Sequence, residues 1–576
     1  MQHPVSLLAS AVRRAVTLEF GEEHSQVDPA VHRSQFADYQ ADVALRLARA
    51  AKLPPLKIAE RIAARLELGD VCEQISVSPP GFVNFKLRRE FLEDAVATLV
   101  GDERAGVPKA ERPETFVIDY SAPNVAKEMH VGNIRSTVIG DALARTLGFL
   151  GHRVIRQNHI GDWGTPFGML IENLIDGGAS ADEIAFGDLN EFYKAARAKF
   201  DSNPDFAERA RLRVVALQAG DPETLAHWQT LVAASRRYFT AIYDKMGVLL
   251  EDSDVRGESF YNDDLAKVAG ELEQSGIAKI DDGALCVFLP EFKGREGELL
   301  PLIVRKQDGG FGYAATDLAA LRYRVRELGA TRVLYVVGAP QQQHFAMVFA
   351  TAEKAGWLAG ARPEHVAFGS ILDEKRKMFR TRSGESVKLG ALLDEAIERA
   401  DQAILAKNPE LPEEQRKKVA REVGIGAIKY ADLSSERVKD YVFDWARMLS
   451  FEGNTGPYLQ YAHARICSIL RKAEESGVKV EARRVLAAEP AEHALVLELF
   501  DLAAAAEAAA AGLHPHRLCT YLYELASKFT AFYEACPVLR ANSDEQRDSR
   551  LALCDQTRRS LSLGLSLLGM AAPERM

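Results

Sequence analysis

Lys127, His130, Gly132 and Asn133 lie close together in the chain and have the residue types needed to hold an anion. His130 and Asn133 can donate hydrogen bonds to phosphate, Lys127 supplies a positive charge on a flexible stem, and Gly132 lets a ligand approach the backbone closely. The chemistry this suits is phosphate handling. The same residues also fit an ordinary strand-to-helix turn with a capping Asn and a surface His, and taken alone they leave both readings open.

The flanking elements must place that loop. Phe116 to Tyr120 is a short apolar run that reads as a buried strand, and Pro123 breaks it. A helix is expected from near Gly132, with Ile134, Val138, Ile139, Ala142, Leu143, Leu147 and Leu150 at helical spacing and Gly148 and Gly151 at its end. A second strand, Val154 to Gln157, follows directly. This is a β–loop–α–β unit with parallel neighbouring strands and a right-handed crossover. Ligands in such sheets sit beyond the carboxyl ends of the strands, where a helix N-terminus offers N–H groups to anions.

Ser121-Ala-Pro-Asn-Val-Ala-Lys127 followed by His130-Val-Gly-Asn133 resembles the HIGH signature of class I aminoacyl-tRNA synthetases, in the form used by arginyl-tRNA synthetases. His159-Ile-Gly-Asp-Trp-Gly164 stands where that family has a signature of its own, and the likeness runs along almost the whole chain. It implies a multidomain α/β protein: a Rossmann-type parallel-sheet catalytic domain, an N-terminal α+β domain and a C-terminal all-α bundle that binds the anticodon. The expected divisions are 1–108 for the N-terminal domain, 115–174 with 275–372 for the catalytic domain, and 175–274 for a mostly helical insertion. A KMSKS-like loop and connecting domain would occupy 373–455, and the anticodon-binding bundle 456–576. The insertion is expected to be scaffold without chemistry.

The resemblance also distributes roles. His130, Gly132, Asn133, His344, Lys377 and Arg382 are expected at ATP, with Lys127, His130 and Asn133 serving catalysis. Asp119, Asn124, His130, Tyr313, Asp317 and Gln341 match the arginine pocket. A planar guanidinium calls for a carboxylate as bidentate acceptor, so Asp317, helped by Tyr313 and Asp119, is expected to hold the side chain. Asn124 and Gln341 would take the ammonium and carboxylate of the amino acid. Lysine cannot make that fork, and a site that bonds its substrate's side chain rejects an analogue lacking those groups by roughly 10⁴–10⁵. No editing domain is therefore expected.

The second class I signature is degenerate here. Lys375-Arg-Lys-Met-Phe-Arg-Thr-Arg-Ser-Gly384 puts Thr381 where the family's second lysine would stand. Negative charge on the leaving pyrophosphate still has to be met, and Lys127 matches the lysine held to do so in family members with this departure.

RNA contacts are expected at both ends of the chain. Phe82, Asn84 and Lys86 alternate with Val83, Phe85 and Leu87, which puts three polar or aromatic groups on one strand face. Phe82 and Asn84 match D-loop contacts of the family. Tyr458, Tyr461 and Arg465 form one helical stripe, and these positions with Met576 match anticodon-loop contacts.

Composition sets the outer limits. The 576 residues are 47% hydrophobic and 27% charged, ordinary globular material for three to five domains. A net charge of −10 argues against a protein that coats nucleic acid non-specifically, but local basic strips can still bind one RNA. Six scattered cysteines without CxxC or zinc spacing read as reduced structural thiols, so no metal site is expected. The absence of a leader-like start or a membrane-length apolar run gives a cytoplasmic expectation. The resemblance implies ATP with Mg²⁺ on its phosphates, L-arginine and tRNA(Arg) as partners, a monomer, no membrane, and arginine activation only with tRNA present. Two other classes compete: a small-molecule nucleotidyltransferase, which would not need the helical tail, and a catalytically silent tRNA-binding paralogue, which would lose the arginine pocket.

Overall fold

The structure is a computed structural model that describes residues 3–177, 189–379, 387–478 and 484–576. The N-terminal unit comprises α1 (Pro4–Phe20), β1 (Val31–Arg33), β2 (Tyr39–Ala41), α2 (Val43–Ala51), α3 (Pro55–Ala63), β3 (Cys72–Ser78), β4 (Phe82–Leu87) and α4 (Arg89–Ala97). Its strands form an antiparallel sheet in the order β1-β2-β4-β3. Residues 102–114 carry no regular element, as a Gly- and Pro-containing charged linker should.

The expected β–loop–α–β unit is present as β5 (Thr115–Asp119), α5 (Val131–Phe149) and β6 (Arg153–Gln157), with β5 and β6 parallel. Helix α5 is buried over most of its length, because it lies between the sheet and the helical C-terminal third. Helix α6 (Pro166–Gly177) closes the first half, and the insertion follows with α7 (Leu189–Ser202), α8 (Pro204–Gln218), α9 (Pro222–Met246) and α10 (Asn262–Gln274).

The second half brings β7 (Ala278–Asp281), β8 (Ala284–Lys293), β9 (Leu299–Arg305), α11 (Tyr313–Arg326), β10 (Arg332–Tyr335), α12 (Gln342–Lys354), β11 (Arg362–His365) and β12 (Ile371–Leu372). The parallel sheet has the order β11-β10-β5-β6. Strands β7 to β9 do not join it; they form their own antiparallel sheet, so residues 278–305 are an appendage between the two halves rather than part of the nucleotide-binding sheet. The order places the carboxyl ends of β5 and β10 side by side, and a cavity opens there.

The remainder is α13 (Leu389–Lys407), α14 (Glu413–Leu433), β13 (Tyr441–Val442), α15 (Trp445–Met448), α16 (Gly456–Glu475), α17 (Pro490–Ala511), α18 (His516–Ala535) and α19 (Asp544–Leu567). The short strand β13 pairs with β12 in a separate two-stranded sheet, which ties the helical third to the segment that follows β11. A buried ion pair, Arg135 with Asp432, joins α5 to α14, and the buried Lys429 ammonium of α14 donates to the Gly569 carbonyl after α19, beside Asp141 of α5.

Candidate active site

Sharp backbone geometry follows β5. Ser121, Ala122 and Ala126 have φ of 72°, 45° and 59°, a left-handed conformation that costs a non-glycine residue on the order of 1 kcal/mol or more. Side chains hold each in place. Ser136 Oγ accepts from the Ser121 N–H at 2.9 Å, Asn158 Oδ1 from the Ala122 N–H at 3.0 Å, and Ser235 Oγ from the Ala126 N–H at 2.8 Å. Asn124 is thereby carried to Gly161, where a Cβ would stand 2.4 Å from Asn124 Oδ1, so glycine lets the Asn124 amide keep this position.

At the head of α5, His130 is the N-cap. Its Nδ1 accepts from the Gly132 N–H at 3.0 Å, and Asn133 Oδ1 accepts from the His130 N–H at 3.0 Å, a reciprocal capping box. The Val131 N–H donates to the Val387 carbonyl at 2.9 Å, and the Asn133 N–H to the His130 carbonyl at 2.8 Å. This corrects the expectation of open N–H groups at the mouth: the first three amides of the helix are already spoken for. The groups left to meet an anion belong to side chains. An Nδ1 that accepts a bond leaves the proton on Nε2, and burial together with the Lys127 charge lowers the His130 pKa, so the ring is a neutral Nε2–H donor. Asn133 keeps its NH₂, since only its oxygen caps. Lys127 rests with its ammonium 4.4 Å from the centroid of the Tyr193 ring, on α7.

A cavity of about 570 Å³ opens beside this turn, lined by Asp119, Asn124, Tyr313, Asp317 and Gln341, five of the six residues matched to the arginine pocket. His130, the sixth, is not in its wall. Tyr313 and Asp317 start α11 one turn apart; Tyr313 is 75% exposed, so it is a rim residue rather than a packed one. Gln341 ends the short turn before α12 and is exposed. Asp317 Oδ2 lies 2.6 Å from His344 Nε2, so His344, matched to ATP, stands in this cavity as the partner of the acid.

Asp119 is less available than its type suggests. Its Oδ2 accepts from Arg324 Nη2 at 2.8 Å, while Oδ1 is buried without a partner. Arg324 is wholly buried, also donates to Gln157 at 2.6 Å, and stacks over Tyr335. The chain's own guanidinium therefore neutralises Asp119.

The acid that was missed is Glu258. It lines the same cavity from a short 3₁₀ turn just before α10, within the insertion expected to be scaffold. Burial, then the nearby Asp162 and Asp317, push its pKa up to about 8. A carboxyl whose pKa is raised by burial in a cavity, beside two further acids, marks a candidate cation site. No periodicity or spacing marks Glu258; the only sequence signal is its place in Arg256-Gly-Glu-Ser-Phe260, after a break in the helical pattern.

The second signature is described only at its edges. Lys377 is exposed in a turn closed by Asp373 Oδ1, which accepts from the Lys375 and Lys377 N–H groups at 2.9 and 2.8 Å. Lys388 pairs with Glu128 at 2.8 Å, and the Leu389 N–H donates to the Met129 carbonyl, lacing the far end of the loop to the His130 turn. Thr381 and Arg382 lie outside the described residues.

The RNA-contact residues divide. Phe82 is half-buried, but Asn84 is only 6% exposed, donates its amide to Ser78 Oγ at 2.9 Å, and leaves its Oδ1 buried without a partner. Asn84 is thus packed, not displayed, because Gln40 of β2 lies opposite it. On α16, Tyr458 packs on Tyr523, Tyr461 is 38% exposed, and the Arg465 guanidinium stacks 4.2 Å over Tyr533. Tyr461, Arg465 and Met576 line a second cavity. The six cysteines are free, five of them buried. Among the described residues no group of three or more His, Cys, Asp or Glu could hold a metal ion, and no helix is long and apolar enough to cross a membrane.

Three family profiles match the chain: tRNA synthetases class I (R), catalytic domain, over residues 95–445; the DALR anticodon binding domain over 459–576; and the arginyl tRNA synthetase N terminal domain over 5–87. The chain is similar to the arginine–tRNA ligase of Thermobifida fusca (strain YX), 55% identical with all of both chains covered. Among solved structures it is similar to the arginyl-tRNA synthetase of Plasmodium falciparum, with a TM-score of 0.84 at 30% identity, covering all of both chains. The Thermus thermophilus arginyl-tRNA synthetase has a TM-score of 0.82 at 29% identity, covering 99% of this chain and all of that one. The chain belongs to the arginyl-tRNA synthetases, within class I of the aminoacyl-tRNA synthetases.

Proposed function

We propose that this chain is an arginine–tRNA ligase that works through the cavity between β5 and α11. It joins L-arginine to ATP as arginyl-adenylate with release of pyrophosphate, then passes arginine to the 3′ end of tRNA(Arg). The observation that carries the substrate choice is the acid wall: Asp317 and Glu258 face one cavity, and Glu258 is held neutral until a cation arrives. A guanidinium is flat and offers paired N–H groups to Asp317 and Glu258. Asp119, tied to Arg324, shapes the floor. Asn124 and Gln341, neutral amides, suit the ammonium and carboxylate of the amino acid.

The protein need supply no nucleophile or base. The arginine carboxylate attacks the α-phosphate, and the tRNA hydroxyl then attacks the adenylate, so catalysis is positioning plus charge stabilisation. MgATP is the substrate, with the ion on its phosphates. His130 Nε2–H, the Asn133 NH₂ and Lys127 are the donors for those phosphates, since the backbone amides of the turn are engaged. A nucleotidyltransferase of small molecules has no use for the domain matched at 459–576. A silent paralogue has no use for Asp317, Tyr313 and Gln341, all present. The test is aminoacylation of total tRNA with each amino acid in turn: arginine alone should be accepted, and acceptance of lysine or of none overturns the reading.

A further inference from the structure

The second cavity, of about 470 Å³, lies where the loop before α14 meets α16, with Asn408, Tyr461, Arg465 and Met576 in its wall. Asn408 Nδ2 donates to the Met576 carbonyl at 3.2 Å. The residue just before it, Lys407, ends α13. Its ammonium stands 4.1 Å from the centroid of the Phe451 ring and 5.0 Å from that of Tyr461. The two rings meet edge to face at 6.2 Å, so the charge occupies the notch between them. Among the described residues Lys407 pairs with no carboxylate, although Glu410 and Glu574 line the cavity next to it.

An exposed lysine keeps about 2 kcal/mol of rotamer freedom, and each ring face at an exposed site returns on the order of 0.5–1 kcal/mol. Two rings together return about 1–2 kcal/mol, comparable to that freedom, so they bias the ammonium toward the notch without neutralising it. Lys407 is exposed, so its ammonium stays hydrated and can turn to an anion that approaches the notch, one local positive charge on a chain of net charge −10. Tyr461, one of the two rings, is also a surface on which an unpaired base can stack, and a base laid there carries its phosphodiester to the same notch.

We propose that Lys407 is a phosphate contact for the tRNA that docks at the Met576 cavity, pre-positioned by Phe451 and Tyr461. The inference rests on reading that cavity as an RNA site. Its function is affinity, not base choice: a phosphate contact weakens binding alike for all sequences when lost.

The test is the salt dependence of tRNA(Arg) binding by the full chain between about 50 and 200 mM salt, for the parent, Lys407→Met, Lys407→Arg and Tyr461→Ala. Lys407→Met should lower the slope of log K against log salt by about 0.7, the value for one contact to a single strand, and Lys407→Arg should restore it. Thermal unfolding of each variant separates lost contact from lost fold. If Tyr461→Ala weakens binding while Lys407→Met leaves the slope unchanged, the phosphate role is overturned. If Tyr461→Ala leaves binding unchanged, the RNA reading of the cavity itself falls.

Discussion

The cavity over the parallel sheet and the cavity beside Met576 differ first in how their charges are held. Over the sheet the acids are constrained: buried Asp119 is tied to Arg324, half-buried Asp317 to His344, and half-buried Glu258 stays protonated. Beside Met576 the cations lie on rings, Lys407 over Phe451 and Tyr461, Arg465 over Tyr533. A buried acid with fixed partners accepts one shape of cation and punishes others with unpaired groups. A cation resting on an aromatic face can turn to a phosphate at little cost, which suits a long polyanion. A net charge of −10 hides this division entirely.

The largest effect that would break the comparison is at Asp317. Asp317→Asn keeps the size of the side chain and removes the charge that a guanidinium needs. Losing one partner of a desolvated, hydrogen-bonded charge pair costs about 2–5 kcal/mol, so kcat/KM for arginine should fall by about 30-fold to several thousand-fold in pyrophosphate exchange with tRNA present. A loss confined to the KM for ATP would place Asp317 elsewhere in the reaction. Soaked arginine with its guanidinium away from Asp317 would be as damaging.

Next in size is the phosphate side of the same region. Lys127→Ala should lower arginine activation by about 10²–10³, as for removal of one donor to developing charge, and far more than Lys377→Ala, whose side chain is exposed in the Asp373 turn. Equal losses would overturn the assignment. Tyr193→Ala frees the Lys127 ammonium from its ring and should change the KM for ATP, whereas Tyr193→Phe should not.

A smaller, graded effect belongs to Glu258. Its pKa near 8 lies above that of an unfolded carboxyl, so below pH 8 a bound guanidinium must displace a proton. Arginine affinity should therefore rise with pH, by up to about tenfold per unit until about pH 8, and calorimetric titration of Glu258→Gln should be nearly flat. Stability runs the other way. The folded chain binds the proton more tightly than the unfolded one, so stability from this group is lost as pH rises from about 4.5 through 8. Glu258→Gln should thus melt higher than the parent at pH 9. A steep arginine profile in Glu258→Gln would show that another group titrates.

How much of this was legible depends on the range of the signal. The unit from β5 to β6 was readable because an apolar run, a proline and a helical repeat sit within some forty residues. Tyr313 with Asp317, and Gln341 with His344, were placed correctly on two helix starts by spacing alone. The capping of α5 was not readable: Val387 covers the Val131 amide from a segment far away in sequence, and no local pattern announces it. Arg324 was missed for the same reason, being one basic residue in a helix that carries several. Strands β7 to β9 alternate as any strand does, and alternation says nothing of which sheet they join.

The smallest effect is at Asn84, where strand alternation and the fold part company. The alternation puts Asn84 on the same face as Phe82 and Lys86, yet Gln40 and Ser78 cover it and its amide is already donated. Truncation would remove a buried amide whose Oδ1 has no partner, so Asn84→Ala costs little stability and little RNA contact in this packing. The KM for tRNA should change by less than about threefold, a fraction of a kcal/mol, while Phe82→Ala, which removes a half-buried ring open to stacking at about 1–3 kcal/mol per base, should change it more. A larger loss at Asn84 than at Phe82 would mean that β2 yields when RNA binds and uncovers the amide. In that case the buried Oδ1 is the base-reading group, and the N-terminal sheet, not the Met576 cavity, supplies the sequence-reading half of the RNA interface.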